Sequence, residues 1–151
     1  MPPLTIIREA TPTDAAPISA IILAALWGSN TADYPPGIIE EIAPSFAPDR
    51  LVDLMAMRRT WIAESAGAIV GTASLQGDGV RTVFVLPAAQ AGRIGVSLMR
   101  QVETFARGRQ IASLTVPSSI TAVNFYRKLG YVVLRDQYWR NVRTILMRKD
   151  L

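Results

Sequence analysis

Pro87-Ala88-Ala89-Gln90-Ala91-Gly92-Arg93-Ile94-Gly95-Val96 separates a β-branched run at 80–86 from a predicted helix at 93–107. Small loop residues let a ligand approach the backbone, and the first N–H groups of a helix carry the positive end of its dipole. Arg93 adds a full positive charge. The stretch therefore predicts a strand–loop–helix unit that binds a pyrophosphate, against the alternative of an ordinary glycine-containing turn. The helix prediction rests on one apolar face, made of Ile94, Leu98, Val102, Phe105 and Ala106.

Two familiar nucleotide-binding loops do not match this stretch. A Walker loop requires Gly-Lys-Ser/Thr, which is absent here. The dinucleotide fingerprint requires Gly-x-Gly-x-x-Gly after an early strand, and that pattern is absent as well. Both classes of nucleotide site are therefore excluded.

Turns and periodicities on either side of this unit predict one α/β domain over residues 1–151. Upstream we expect a strand at 4–8, helices at 15–27, 35–43 and 50–57, and a hairpin of strands at 60–64 and 68–75. Downstream we expect a strand at 111–116, a helix from Ser118 or Ser119 to Leu129, and strands at 131–138 and 142–147. This order predicts a mixed sheet with helices on both faces.

A second stretch, residues 122–131, is typical of the end of an amphipathic helix with Tyr126 near its last turn. We expect Phe125 and Leu129 to be core residues and Tyr126 to lie one position off that face. A tyrosine hydroxyl, with an ordinary pKa of about 10, can donate a proton to a leaving group. Tyr126 is thus either a general acid or a structural residue.

The composition restricts the available chemistry. Half of the 151 residues are hydrophobic, which excludes disorder, and the chain has 0 His and 0 Cys. Disulfide scaffolds, cysteine nucleophiles and imidazole mechanisms are thereby excluded. A metal site of carboxylates alone stays open, but no acidic cluster suggests one, so we expect no metal. No apolar run approaches the roughly 20 residues of a membrane span and no secretory signal is visible, so we expect a cytoplasmic protein without membrane contacts.

Charge is divided unevenly along the chain. Residues 1–75 carry 4 Arg and 8 acidic residues, whereas residues 76–151 carry 12 Lys or Arg and 4 acidic residues. We therefore expect a cationic ligand at the first half and an anionic ligand at the second, with genome composition as the alternative cause of the arginine count. The arginines are scattered over several elements, so we expect no nucleic-acid partner.

Together the two stretches resemble the GNAT superfamily of acetyl-CoA-dependent N-acetyltransferases. The family's phosphate loop, Gln/Arg-x-x-Gly-x-Gly/Ala, is similar to residues 90–95, with Arg93 where the first Gly is usual. The family's second motif, Ala-x-x-Phe-Tyr-x-x-x-Gly-Phe/Tyr, fits residues 122–131 in full. The order of predicted elements also matches along nearly the whole chain.

The resemblance implies an α/β (α+β) fold in which a mostly antiparallel, twisted sheet of six to seven strands splays centrally. Acetyl-CoA would lie between the strands at 80–86 and 111–116, and Tyr126 would face its sulfur as general acid. Backbone groups at 84–86 would bond the pantetheine arm, and N–H groups at 91–96 would hold the pyrophosphate. The implied cofactor contacts are Phe84, Val85, Leu86, Gln90, Ala91, Gly92, Arg93, Ile94, Gly95, Val96, Asn124 and Tyr126.

Two features depart from the family's pattern. Arg93 can replace Gly if its φ is already helical, and its side chain would then extend toward phosphate or solvent. No Glu occurs at 80–86, where many members carry a general base. Glu64 and Asp78 are therefore candidate bases, and a water path to bulk solvent is the alternative. A backbone N–H near Val85 would stabilise the oxyanion.

The resemblance places the acceptor amine over the first helices and the middle strands. Trp27, Tyr34 and Trp61 are candidate substrate-binding residues, with the alternative that Trp27 and Trp61 are core. The expected reaction is direct transfer of an acetyl group from acetyl-CoA to a primary amine of a small molecule or peptide. A degenerate member that only senses acetyl-CoA is the alternative. A homodimer through the final strands, with Tyr138 and Trp139 in contact, is a further expectation.

Overall fold

The computed structural model describes residues 4–28, 33–139 and 142–151. Its strands are β1 (Thr5–Glu9), β2 (Arg59–Ser65), β3 (Ala68–Gln76), β4 (Gly79–Val85), β5 (Ser113–Ser118), β6 (Val132–Trp139) and β7 (Val142–Asp150). They form one seven-stranded sheet in the order β1-β2-β3-β4-β5-β7-β6. Neighbouring strands are antiparallel except β4 and β5, which are parallel. The predicted mixed, mostly antiparallel sheet is confirmed.

Helices cover both faces of the sheet, as predicted. The described residues form α1 (Ala15–Trp27), α2 (Pro36–Ile42), α3 (Pro48–Met57), α4 (Ile94–Gly108) and α5 (Val123–Lys128). Helices α1, α2 and α3 share one apolar core with one side of the sheet, which we call the α1 face. Helices α4 and α5 share a second core with the opposite side, the α4 face.

Because side chains alternate along a strand, one strand contributes residues to both cores. Trp61 and Ala63 of β2 are buried on the α4 face, whereas Ile62 between them is buried on the α1 face. Leu98 and Val102 of α4 are fully buried against the first set. Because burying such a side chain stabilises a fold by roughly 1.5–3 kcal/mol, the two cores hold the helices firmly to the sheet.

Strand β5 begins two residues later than the predicted 111–116. The cause lies at the end of α4, where Gln110 has a left-handed φ of 61°. The Gln110 N–H donates to the Arg107 carbonyl and the Ile111 N–H to the Ala106 carbonyl, each at 3.0 Å. These two bonds form a Schellman cap, which holds Ile111 against the helix end instead of in the strand.

Arg8 joins β1, β2 and the turn that leads into α1. Its two terminal nitrogens donate to the two Asp14 carboxylate oxygens at 2.9 Å. One of them, with Nε, also donates to Glu64 at 2.7 and 3.1 Å. Asp14 accepts a further bond from the Thr11 N–H at 2.7 Å. The bonds from Arg8 lower the pKa of Asp14 from 3.8 to about 2, so the carboxylate is ionised throughout the neutral range.

Asp14→Asn should lower the free energy of unfolding at pH 7, because it removes an ionised partner of Arg8. A depressed pKa in the folded state means that this stabilisation is present above the unfolded value of 3.8 and is lost as pH falls toward about 2. Urea unfolding should therefore show a gap between wild type and variant that closes between about pH 5 and pH 2.

Asp136→Asn is the matched control for this experiment. Asp136 pairs with Arg143 at 3.0 Å, but both side chains are exposed by more than 40%, so the loss should be small. A gap for Asp14→Asn that stays the same size at pH 2 would contradict the role of its charge.

Candidate active site

Strands β4 and β5 diverge almost as soon as they meet. Their register contains one residue pair, Gly79 with Thr115. The Thr115 N–H donates to the Asp78 carbonyl at 3.0 Å beside that pair. Beyond it the sheet splays, as the resemblance implies.

A β-bulge in β4 accompanies this divergence. The register against β3 slips by one residue around Thr82 and Val83, and Thr82 has a φ of 54°, which a β-branched residue rarely adopts. Arg58 Nη1 donates to the Thr82 hydroxyl at 3.0 Å and so supports this conformation. Because a bulge bends its strand, it turns β4 away from β5 and opens a gap between them.

A cleft of about 650 Å³ lies in this gap. Its size falls within the range of small-molecule sites. Two charged side chains line the described part of it, Arg93 and Lys128, and both are cationic. The lining residues come from α1, β4, the start of α4 and the segment around α5: Ala25, Val83, Phe84, Val85, Arg93, Gly95, Val96, Ser119, Thr121, Ala122, Phe125, Tyr126 and Lys128.

The N-terminus of α4 opens onto the cleft. The bond from the Ser97 N–H to the Arg93 carbonyl, at 3.2 Å, starts the helical ladder. The amides of Ile94, Gly95 and Val96 precede it and therefore have no partner inside the helix. A Cβ on Gly95 would lie 3.0 Å from the Phe125 ring, so glycine permits α4 and α5 to meet there. The helix thus presents donors and the positive end of its dipole to an anion.

Arg93 does not have the helical φ that would let it replace Gly without strain. It is the N-cap of α4, with φ 60° and ψ 20°, directly after a 3-10 turn at 87–92. A left-handed conformation costs a non-glycine residue roughly 1–2 kcal/mol, which explains why glycine is usual at this point of the loop. The Arg93 side chain is exposed and lines the cleft.

The other predicted cofactor residues are distributed unevenly around the cleft. Phe84, Val85, Gly95 and Val96 line it. Ile94 is 5% exposed with its side chain in the core, so its backbone alone can meet a ligand.

The remaining predicted contacts either do not line the cleft or involve side chains outside the described residues. The Leu86 N–H donates to the Val70 carbonyl at 2.9 Å, so this amide belongs to the sheet. Asn124 is exposed on α5 and is not among the lining residues. The backbone at 90–92 forms part of the 3-10 turn, whereas the side chains of Gln90, Ala91 and Gly92 lie outside the described residues. These cofactor contacts stay predictions.

Tyr126 is the most buried residue of α5, contrary to the expected pattern. It is 5% exposed, and its ring makes edge contacts with Phe125 at 5.0 Å and Tyr131 at 5.7 Å. Phe125 and Leu129 are half-buried. The reason is the position of α5 at the cleft, where Phe125 packs over Gly95 at the rim and leaves part of its ring open.

Tyr126 combines a place in the wall of the cleft with a hydroxyl that is not bonded by the described residues. The residue lines the cleft, and its hydroxyl makes no hydrogen bond within the described chain. Burial first, and then the nearby Tyr34, raise the pKa of Tyr126 above its ordinary value of 10. The hydroxyl therefore keeps its proton at neutral pH and has a free donor for a group in the cleft.

The predicted acceptor residues do not form one cluster. Tyr34 is half-buried beside the α1-face core, and burial raises its pKa, with a further contribution from Asp33. Trp27 ends α1 and is 46% exposed. Trp61 is 3% exposed and packs on Phe105 at 5.2 Å in the α4-face core. The structure therefore does not bring Trp61 together with the other two.

Neither candidate base reaches the cleft. Glu64 is two strands away from β4 and is held by Arg8 at 2.7 Å. Asp78 is exposed in the turn between β3 and β4. In the described part of the chain, no carboxylate side chain lines the cleft.

Sequence reasoning missed three polar residues of the cleft, Ser119, Thr121 and Lys128. Asp33 accepts hydrogen bonds from the Thr121 hydroxyl at 2.6 Å and from its N–H at 3.2 Å. The two residues lie 88 positions apart, so no local sequence signal points to this link. It joins the chain after α1 to the segment before α5.

The chain matches one family model. The model, described as an acetyltransferase (GNAT) domain, covers residues 31–151. Because the match spans most of the sequence, the chain belongs to the GNAT family of acetyltransferases. Comparison with curated protein sequences gives no match.

Solved structures share the fold over almost the whole chain. A GCN5-related N-acetyltransferase from Rhodopseudomonas palustris, described as an aminotransferase of class II, is 27% identical, with a TM-score of 0.91 and coverage of 100% of this chain and 98% of its own. The PaiA N-acetyltransferase of Thermoplasma acidophilum, in complex with coenzyme A, is 14% identical, with a TM-score of 0.86 and coverages of 98% and 99%.

A third neighbour, an aminoglycoside 6'-N-acetyltransferase complexed with coenzyme A, is 17% identical, with a TM-score of 0.73 and 96% coverage of both chains. The likeness to this protein and to PaiA concerns the fold alone. Within the described ranges, no helix is both long enough and apolar enough to cross a membrane.

Arg93→Gly should stabilise the protein by about 1 kcal/mol or less, because glycine adopts the left-handed N-cap without strain. Arg93→Ala removes the same charge but keeps the strain, so it is the matched control and should not gain stability. Denaturant unfolding of the three proteins measures the difference. Equal stability of the Gly and Ala variants would contradict the strain at this residue.

Proposed function

We propose that this protein transfers the acetyl group of acetyl-CoA to a primary amine of a small molecule or peptide, in one complex that holds both. The observation that carries this proposal is the cleft itself. It combines an open helix N-terminus, two cationic side chains and a tyrosine hydroxyl that keeps its proton. Membership of the GNAT family supports the same activity.

The residues present fit acetyl-CoA. The amides at 94–96 with Arg93 and Lys128 would hold the negative pyrophosphate, because donors and positive charge meet there. The part of β4 that has left β5 would accompany the pantetheine arm, at Phe84 and Val85. Two structural neighbours whose descriptions name a bound coenzyme A support this fit. When bound, acetyl-CoA supplies the activated acyl group.

Tyr126 is the group that we assign to proton transfer. Its hydroxyl opens into the cleft and is protonated at neutral pH. It can therefore give a proton to a departing thiolate as general acid. The amine must itself be neutral to attack. After attack its nitrogen loses one proton to water at the open mouth of the cleft, since no carboxylate side chain of the described chain lines it, and water returns a proton to the Tyr126 phenolate.

A sensor that binds acetyl-CoA without turnover is the second candidate function. The missing carboxylate favours this alternative, because many acyl transfers to amines use a base. The free Tyr126 hydroxyl favours catalysis, because a purely structural tyrosine at 5% exposure would be expected to hydrogen-bond within the protein.

Tyr126→Phe separates the two functions. We expect acetyl-CoA affinity within about twofold of wild type by calorimetry, since the ring packing is kept. We expect kcat to fall by about 10²–10⁴ in an assay of thiol release over a panel of amines, since the general acid is lost. Tyr138→Phe is the control, because Tyr138 is 68% exposed on β6 and should change neither quantity.

Catalysis and sensing predict different outcomes of these measurements. Binding of acetyl-CoA without thiol release on any amine would favour the sensor. Failure of wild type to bind acetyl-CoA would contradict the roles of Arg93 and the α4 N-terminus. Unchanged kcat in Tyr126→Phe would remove Tyr126 as general acid.

The cytoplasmic location and the homodimer stay proposals from the sequence. The exposed apolar side chains of β6, among them Tyr138 and Trp139 at 68% and 48%, are where we would place a second copy. Analytical ultracentrifugation of wild type measures the oligomeric state.

A further inference from the structure

Arginine side chains line the α1 face where β4 begins. One row across the sheet is made of Gln76, Gly79, Thr115 and Arg148, one residue from each of β3, β4, β5 and β7. Arg81 folds back over this row, since a Cβ added to Gly79 would lie 2.9 Å from Arg81 Nη1. Arg81 and Arg148 therefore share one side of the sheet, two strands apart.

Arg58 extends the row on its other side. Its Nε donates to Gln76 Oε1 at 3.0 Å, next to the Gly79 position that Arg81 covers. Adjacent strands lie about 4.8 Å apart, so Gln76, which Arg58 contacts, and Arg148 lie roughly 15 Å apart across the sheet. We call Arg58, Arg81 and Arg148 the arginine row.

The positive charge of the row is only partly paired. Within the described chain, neither Arg58 nor Arg81 forms an ion pair, and Asp78 in the adjoining turn is exposed without pairing to them. Arg148 pairs with Asp150 at 3.2 Å, at an exposed site. Burial, and then the charge of Arg81, lower the pKa of Arg58. An anion placed between these groups would relieve their mutual repulsion.

The arginine row does not line the described part of the cleft, but Arg81 precedes the lining residue Val83 by two positions on β4. Phe84 lines the cleft and belongs to the α1-face core, where its ring meets Phe46 at 6.2 Å. Arg81 precedes it by three residues of β4, which is roughly 10 Å along a strand. The phosphate donors of α4 are on the other face. On the α1 face Thr115 is half-buried and Arg148 is exposed, so this is the face that we take as the approach of a second substrate.

We infer that the acceptor carries a carboxylate or phosphate group about 10 Å from its reactive amine, and that the arginine row binds that group. This inference rests on the proposed function, because it takes the amine to react in the cleft. Three residues of extended peptide span the same distance. An acidic peptide whose N-terminal amine enters the cleft meets the requirement, whereas a polycationic amine is repelled by the row.

Four amidated pentapeptides, Ser-Ala-Ala-X-Ala with Glu, Gln, Lys or phosphoserine as X, test this inference. Calorimetry in the presence of coenzyme A measures binding without turnover, and thiol release with acetyl-CoA measures reaction. We expect the Glu peptide to bind wild type about tenfold more tightly than the Gln peptide, and the Lys peptide more weakly. The phosphoserine peptide shows whether phosphate is preferred to carboxylate.

Substitutions in the arginine row test whether the row causes the preference for the Glu peptide. Arg81→Gln should bring the Glu and Gln peptides to nearly equal affinity, and Arg148→Gln should reduce the difference. Arg100→Gln is the matched control, because Arg100 is exposed on α4 and its substitution makes the same change of charge. If Arg81→Gln does not fold, as judged by its thermal melt, Arg148→Gln carries the comparison.

Equal binding of the Glu and Gln peptides to wild type, no binding of the Glu peptide, or a preference that survives in both row variants would overturn the inference. A Glu preference without acetylation of any peptide would keep the anion site, and thiol release over the amine panel would then decide the proposed catalysis separately. Acetylation without a Glu preference would support the proposed catalysis and refute the anion site.

Discussion

The parallel contact between β4 and β5 is limited to Gly79 and Thr115, and the site depends on that limit. Beyond this pair, the backbone N–H and C=O groups that β4 and β5 turn toward each other are not paired across the gap. A ligand in the gap can therefore form hydrogen bonds with the sheet. The bulge at Thr82 and its bond from Arg58 keep the strands from closing again. Helix α4 follows β4 after the 3-10 turn at 87–92, so its N-terminal donors lie at the same opening.

Local sequence patterns were sufficient for the elements but not for the site's details. Turn residues and periodicity act over a few positions, and the predicted order of strands and helices agrees with the structure. The burial of Tyr126, the ion pairs of Glu64 and the link from Asp33 to Thr121 all depend on residues far away in the chain. The left-handed φ of Arg93 was missed because the 3-10 turn before it was not recognised.

The structure explains the uneven charge of the two halves of the sequence differently from the sequence analysis. Among the acidic residues of the first half, Asp14 and Glu64 are bound to Arg8, and Glu9 is bound to Arg59. These carboxylates stabilise the fold around β1 and β2 and do not form an acidic surface at the cleft. The basic second half divides between the two faces, with Arg93 and Lys128 at the cleft and Arg81 and Arg148 on the α1 face.

Burial of Tyr126 determines whether its side chain can donate or accept a proton. Its raised pKa means that the phenolate is scarce at every pH at which the protein is expected to work. A group in that state can supply a proton but cannot take one from an incoming nucleophile. If Tyr126 is the acid of the proposed transfer, any pH dependence in the neutral range would report ionisation of the acceptor amine and not of the protein.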